Sequence, residues 1–143
     1  MKKKLITLLC LALLSTPVWA FNIQIEDPFV SPVPPGSPVA AGYMKIHNAG
    51  AEDRKIVDAS SSVSEYMELH THTEVDGVMQ MRKIPFITVP AGGTTELVPG
   101  GLHLMFIDLR QSIPAGSQVD VQLTFDDGSL IELDMPVRRL RNR

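Results

Sequence analysis

Two histidines and two methionines at a defined spacing are the residues of this chain best suited to chemistry. His70 is followed by ten residues and Met81, then by twenty-one residues and His103, and after one more residue by Met105. Imidazole and thioether ligands together favour monovalent copper over harder cations. The only cysteine, Cys10, lies in a segment that we expect to be removed. The pattern therefore indicates a soft-metal site that uses no thiolate.

The N-terminus has the organisation of a secretory signal, which we assign to residues 1–20. Three consecutive lysines precede a short apolar run, Leu5 to Leu14, and Ala20 ends a cleavage-compatible sequence. The run is too short to cross a bilayer comfortably, so we expect a mature domain, 21–143, with no transmembrane segment, in the periplasm. Lipidation at Cys10 is disfavoured because a leucine precedes it and the apolar run continues beyond it.

Composition limits the class of protein. The 123 residues of the mature chain are enough for one domain with its own core. Loss of the three lysines changes the formal net charge from −3 to −6, which disfavours nucleic-acid binding. Without cysteine, the mature chain cannot perform thiol–disulfide exchange, cysteine-nucleophile catalysis or blue-copper electron transfer. The arginines between Arg138 and Arg143 are expected to form a solvated, frayed tail.

Hydrophobic alternation predicts an all-β domain, a sandwich or a barrel, because short apolar runs are separated by Gly, Pro, Asn and Asp turns. A proline-rich stretch, 31–38, is expected to be an extended loop or edge segment. A short helical turn is allowed at 60–66. The predicted strands are 21–26, 39–47, 54–59, 63–73, 78–83, 94–98, 102–109, 119–125 and 130–136.

A predicted hairpin brings the first histidine and the first methionine of the pattern together. An Asp-Gly pair between two apolar runs is a strong hairpin signal. If the four residues Glu74–Gly77 form the loop, His70 faces Met81 and His72 faces Met79, with Cβ atoms about 5 Å apart. A slip of one residue would send these side chains to opposite faces of the sheet.

The second pair lies within one strand. His103 and Met105 are two residues apart and share a face, whereas Leu104 and Phe106 point toward a core. A His-x-Met strand beside a His/Met hairpin can supply four donors to one point. His72 and Met79 are candidate auxiliary donors.

A packing role for these residues is an equal alternative at this stage. Methionine in a strand usually fills a core, which is how we interpret Met44, Met67 and Met135. His47 precedes an Asn and is interpreted as a strand-end surface histidine. From the residues alone, a soft-metal site and a purely structural role both stay open.

The sequence resembles the periplasmic copper chaperones of the PCuAC type. Their signature is His or Met, ten residues, Met, twenty-one residues, His, one residue and Met, and the four residues above fill it without a gap. The resemblance covers nearly all of the mature chain. The stretches that carry it are Ala41–Asn48, Glu68–His70, Asp76–Arg82, Val89–Gly93 and Pro99–Met105.

The resemblance implies a single cupredoxin-like Greek-key β-sandwich that binds Cu(I) through His70, Met81, His103 and Met105. It further implies delivery of copper to a copper-accepting periplasmic protein, an oxidase subunit or another copper chaperone, during assembly of cytochrome c oxidase. Some relatives carry a His- and Met-rich C-terminal extension with a second copper site, whereas Met135 is followed here by Pro136, Val137 and arginine-rich sequence, which does not favour a second site of that kind. We expect a monomer that is not an enzyme.

Three other functions stay open. The protein could buffer periplasmic copper or confer copper tolerance, or it could be a structural β-sandwich interaction module without metal. A metalloenzyme is a further alternative, but hydrolytic zinc sites combine His with a carboxylate and an open water position. The four residues have no obvious carboxylate partner, because Glu68 and Glu74 are near them only in sequence.

Overall fold

A computed structural model describes residues 22–140, which form ten β-strands and no α-helix. No helix among those residues is long and apolar enough to cross a bilayer. The predicted signal segment and the last three arginine-rich positions lie outside the described residues. The strands are β1 (Ile23–Val30), β2 (Val39–Asn48), β3 (Arg54–Ser60), β4 (Ser64–Val75), β5 (Val78–Lys83), β6 (Ile87–Val89), β7 (Thr94–Leu97), β8 (His103–Leu109), β9 (Gln118–Phe125) and β10 (Leu130–Pro136).

The strands form two antiparallel sheets. One sheet has the order β1-β2-β8-β4-β5, with β7 also paired to β2, and the other has the order β10-β9-β3-β6. A parallel bridge between Val30 and Val137 connects the end of β1 with the residue that follows β10. The all-β architecture with two sheets that the sequence predicted is therefore confirmed.

The core lies between the inner faces of the two sheets. Strand β2 alternates between buried and half-buried residues along its whole length. Strand β8 directs Leu104 and Phe106 inward, and both are fully buried. Met44, Met67 and Met135 are buried as predicted. Full burial of a Leu, Phe or Met side chain stabilises the fold by about 1.5–3 kcal/mol, so the alternation along β8 fixes which face points outward.

Strand β1 is longer than predicted. It continues to Val30 despite Pro28, because an edge strand tolerates a residue that cannot donate a ladder hydrogen bond. The pairing with β2 shifts at a bulge where Asp27 adopts a left-handed backbone (φ 50°). The sequence analysis missed β6, and the short turn allowed at 60–66 is confined to residues 62–63, because β3 ends at Ser60 and β4 begins at Ser64.

The start of the C-terminal tail is ordered, so the prediction of a frayed end is wrong for Arg138. Its guanidinium pairs with the Asp27 carboxylate and lies 4.3 Å from the centre of the Phe29 ring. A cation over an aromatic face is favourable electrostatically. This arginine therefore fastens the residues after β10 to the bulge in β1.

Strands β7 and β8 pair with successive parts of β2 on the same side. Strand β7 pairs with Met44–His47, and β8 pairs with Val39–Gly42. The chain between them makes a closed loop, in which the Val98 N–H donates to the Leu102 carbonyl at 2.9 Å and the Gly101 N–H donates to the Val98 carbonyl at 3.0 Å. The loop places Gly101 two residues before His103, the first residue of β8.

The β4–β5 hairpin closes with a two-residue turn. Val75 lies opposite Val78, so only Asp76 and Gly77 are outside the ladder. Their φ values of 52° and 76° are left-handed, as a type I′ turn requires. The turn fixes the register of β5 on β4.

Replacing Gly77 by alanine is expected to lower the free energy of unfolding by about 1–2 kcal/mol, because an L side chain at positive φ crowds the adjacent carbonyl. Asp76→Asn is the control and should cost little, since Asn tolerates the left-handed region. Urea denaturation of both variants beside the wild type measures the difference. An unchanged unfolding midpoint for Gly77→Ala would contradict the assigned turn.

Candidate metal centre

The pairing of β4 with β8 brings the two histidines of the pattern together. His70 lies directly opposite His103, and Glu68 lies opposite Met105. Their neighbours Leu69 and Leu104 also pair, and both are buried in the core. Because side chains alternate across a strand, the two histidines, Glu68 and Met105 share the outer face of the sheet.

The predicted hairpin register is wrong by two residues. A loop of four residues was assumed, whereas the turn has two, so each predicted partner moves along the strand. A shift of two keeps every side chain on its predicted face, since the side-chain period of a strand is two. The observed pairs are His70 with Lys83, His72 with Met81, and Glu74 with Met79.

The imidazole rings of His70, His72 and His103 form a cluster with His103 at its centre. The ring centre of His103 is 5.5 Å from that of His70 and 5.2 Å from that of His72. His103 is 2% exposed although it points away from the core, because its neighbours cover it. His72, a candidate auxiliary donor, is therefore as close to the centre of the cluster as His70.

A single backbone carbonyl orients two of these imidazoles. Nδ1–H of His103 donates to the Gly101 carbonyl oxygen at 3.0 Å, and Nδ1 of His72 lies 3.4 Å from the same oxygen. A carbonyl only accepts hydrogen bonds and has two lone pairs, so both Nδ1 atoms carry the hydrogen. In the neutral rings, each Nε2 then keeps a lone pair that is available to a metal.

Glu68 orients the third imidazole. Nε2–H of His70 donates to one oxygen of the Glu68 carboxylate at 2.7 Å, and Nζ of Lys83 donates to the other oxygen at 2.9 Å. These two hydrogen bonds, from His70 and then Lys83, hold the pKa of Glu68 below its ordinary value. Nδ1 of His70 is buried and has no hydrogen-bond partner among residues 22–140. A carboxylate–imidazole pair that leaves one nitrogen free is the arrangement found around metal-binding histidines.

Glu68 was missed as a partner of the pattern. The sequence analysis placed it near the four residues only along the chain, yet it contacts His70 directly. The signal was present, because residues two apart in a strand share a face. Glu74, by contrast, lies opposite Met79, next to the turn of the hairpin.

Burial lowers the pKa of His103. Desolvation is the largest cause, the positive charges that His70 and His72 can carry act in the same direction, and the hydrogen bond to Gly101 opposes the shift. His103 is therefore neutral at pH 7, which is the form that binds metals.

Aromatic side chains cover one side of the histidine cluster. The Tyr43 ring lies 6.3 Å from the His103 ring, and Phe29 lies 5.3 Å from Tyr43. Burial raises the pKa of the Tyr43 hydroxyl. These rings flank the cluster on its β2 side, whereas the β5 side carries the exposed methionines Met79 and Met81.

The two methionines of the pattern lie on different strands of the outer face. Met105 is on the same strand and the same face, two residues away, and is half-buried. Met81 is on β5, opposite His72, and 43% of its surface is exposed. Within the described part of the chain, no three His, Cys, Asp or Glu side chains are placed to hold one metal ion. A metal on this face would therefore need sulfur donors beside the imidazoles.

Comparisons with known proteins place the chain in a family. Residues 23–137 match the family model described as "LpqE-like: Putative lipoprotein LpqE-like". The chain belongs to the LpqE-like family. A family relative, "Putative lipoprotein Lxx21020" of Leifsonia xyli subsp. xyli (strain CTCB07), is 33% identical over 121 residues, which are 83% of this chain and 71% of that protein.

Solved structures confirm the resemblance of this LpqE-like chain to the PCuAC type. Copper(I)-bound DR1885 from Deinococcus radiodurans is 29% identical, with a TM-score of 0.65 over 80% of this chain and 76% of that one. The copper-bound PCuAC domain from PmoF2 is 20% identical, with a TM-score of 0.69 over 82% of this chain and 92% of that one. The predicted cupredoxin-like β-sandwich is thereby confirmed.

The metal-free protein is expected to lose stability as the pH falls below the ordinary histidine pKa of 6.5, because burial holds the pKa of His103 in the folded protein below that value. The unfolded chain then binds a proton at this residue before the folded chain does, and protons therefore favour unfolding. Urea denaturation at pH 7.5 and 5.5, with a metal chelator present, should show a larger loss for the wild type than for His103→Gln. Equal losses would contradict the assigned burial effect.

Proposed function

We propose that this LpqE-like protein is an exported copper(I) carrier that binds copper on the outer face of its β1-β2-β8-β4-β5 sheet and hands it to another protein. The observation that carries the proposal is the free, buried Nδ1 of His70, held in place by Glu68 beside His103. A buried polar atom without a partner is costly unless a ligand satisfies it. Copper-bound relatives with the same fold support copper as that ligand.

The donor chemistry favours the monovalent ion. The proposed ligands are His70, Met81, His103 and Met105. Thioethers carry no charge and cannot be protonated, so with two neutral imidazoles they suit a soft cation of low charge. His72 and Met79 lie on the same face as further neutral donors. The exposed side of the site, at β5, gives a partner's ligands access to the bound ion.

Carriage fits this site better than catalysis. A hydrolytic metal site needs a carboxylate and an open water position near the metal. Glu68 is the carboxylate beside the histidines, but both of its oxygens are engaged, by His70 and by Lys83. We therefore propose that the protein is not an enzyme.

The cellular role we propose is delivery of copper in the periplasm, by a monomer, toward cytochrome c oxidase assembly. The PCuAC resemblance supports this role, and the lipoprotein relatives support export. Copper buffering is the second candidate, because the same site serves storage if no acceptor approaches the exposed β5 side. The acceptor is expected to be an oxidase subunit or another copper chaperone.

An anaerobic Cu(I) titration of the mature chain against a chromophoric chelator tests the proposal. We expect one tight equivalent in the wild type and its loss in His103→Ala/Met105→Ala, because two donors of one strand are removed. His47→Ala is the control, since His47 binds Glu26 and Thr94 away from the cluster. Circular dichroism of each variant verifies folding.

Two results of this titration would reject the carrier function. If the wild type cannot compete with the chelator, the four residues only pack, and the structural module becomes the better description. If His47→Ala loses copper as completely as the double variant, the site lies elsewhere on the sheet.

Glu68→Gln is expected to weaken Cu(I) binding by about 10–100-fold, the usual effect of removing a carboxylate that orients a ligating histidine. The change keeps the size of the side chain but removes the charge that holds His70. Glu65→Gln is the matched control, because Glu65 is exposed and pairs with Arg110. Competition titrations of both variants measure the effect, and equal affinities would show that Glu68 has no orienting role.

A further inference from the structure

Soft donors on the outer face are arranged in order of exposure from the hairpin to the histidine cluster. Met79 is 55% exposed, Met81 is less exposed, His72 is half-buried, and His103 is almost fully buried. Resting on the copper-carrier function proposed above, we propose that Met79 and His72, on either side of the resident ligand Met81, form with it an exchange path along which Cu(I) moves between a partner's ligands and the buried histidines.

The steps of this path are short. Met79 and Met81 share a face of β5, two residues and about 7 Å apart. Met81 lies directly opposite His72, with Cβ atoms about 5 Å apart. The His72 ring is 5.2 Å from the His103 ring. Each donor can therefore reach an ion held by the next one, and copper need not leave the protein between ligands.

The donors of the path carry no charge in their metal-binding forms, but the outer end has a negative neighbour. Glu74 is exposed and lies directly opposite Met79. The cation on the same face of β5, Lys83, lies beyond Met81 and is bound to Glu68 at 2.9 Å. An arriving cation therefore first meets a carboxylate and a thioether, and the positive charge of the lysine is paired.

The end of the β4–β5 hairpin, beside these donors, is apolar and exposed. Val75 and Val78 at its end are exposed apolar residues, next to Met79. Uptake of a hydrated metal ion does not require exposed apolar residues, whereas a protein that docks on the hairpin would bury them. The partner that fits is a copper-accepting protein that presents its own thioether, imidazole or thiolate donors at this end of β5.

Transfer kinetics separate a path from a resident ligand. A donor that copper only passes through changes the rates of loading and release together and leaves their ratio, the affinity, unchanged. Met79→Leu removes the sulfur and keeps the apolar bulk. We expect its Cu(I) affinity to stay within about twofold of the wild type, while the rate of transfer to a chromophoric chelator falls by about fivefold or more.

The measurement is anaerobic stopped-flow transfer from the copper-loaded mature chain, with an equilibrium titration of the same samples. Val57→Leu is the matched control, because it changes an exposed apolar residue on β3, which belongs to the other sheet. It should transfer copper at the wild-type rate. His72→Gln should slow transfer in the same way as Met79→Leu.

Several results would overturn the path. An unchanged transfer rate in Met79→Leu would reject it while leaving the carrier function intact. A tenfold or greater loss of affinity in Met79→Leu or His72→Gln would make that residue a resident ligand instead. If the wild type fails to bind Cu(I) at all, the carrier function itself falls, and the path falls with it.

Discussion

The position of β8 between β2 and β4 is the constraint on which the rest of the site depends. Hydrogen bonds on both sides fix its register, so Leu104 and Phe106 enter the core and His103 faces outward. A slip of one residue would bury the donors and expose two large apolar side chains, at a cost of several kcal/mol. The same hydrophobic effect that closes the sandwich therefore also aims the histidine.

Backbone and carboxylate hydrogen bonds then prepare the outer face before any ion arrives. The Gly101 carbonyl fixes the hydrogen on Nδ1 of two imidazoles, and Glu68 fixes it on Nε2 of a third. Each ring is left with one defined lone pair. Glu68 also binds Lys83, and the ammonium group partly compensates the carboxylate charge.

The sequence predicted most of the fold because alternation and turn residues are local signals. The sequence predicted that His103 and Met105 face outward, because the alternating residues Leu104 and Phe106 are apolar and face the core. The hairpin register was not predicted correctly, because the same Asp-Gly pair closes loops of two or four residues. The contact of Gly101 with His72 was beyond sequence reasoning, since it depends on how a loop between β7 and β8 packs against β4. The short β6 was missed because three residues give too little periodicity.

The loop between β7 and β8 has a consequence for how this sheet can change in evolution. It supplies its hydrogen-bond acceptor through the main chain, so substitution of its side chains leaves the carbonyl of Gly101 available. The side chains of His103 and Met105, in turn, lie on the opposite face of β8 from Leu104 and Phe106. The residues that form the core and the residues that give the outer face its chemistry are therefore different side chains. Single replacements among the outer residues can therefore change the chemistry of this face without rebuilding the sandwich.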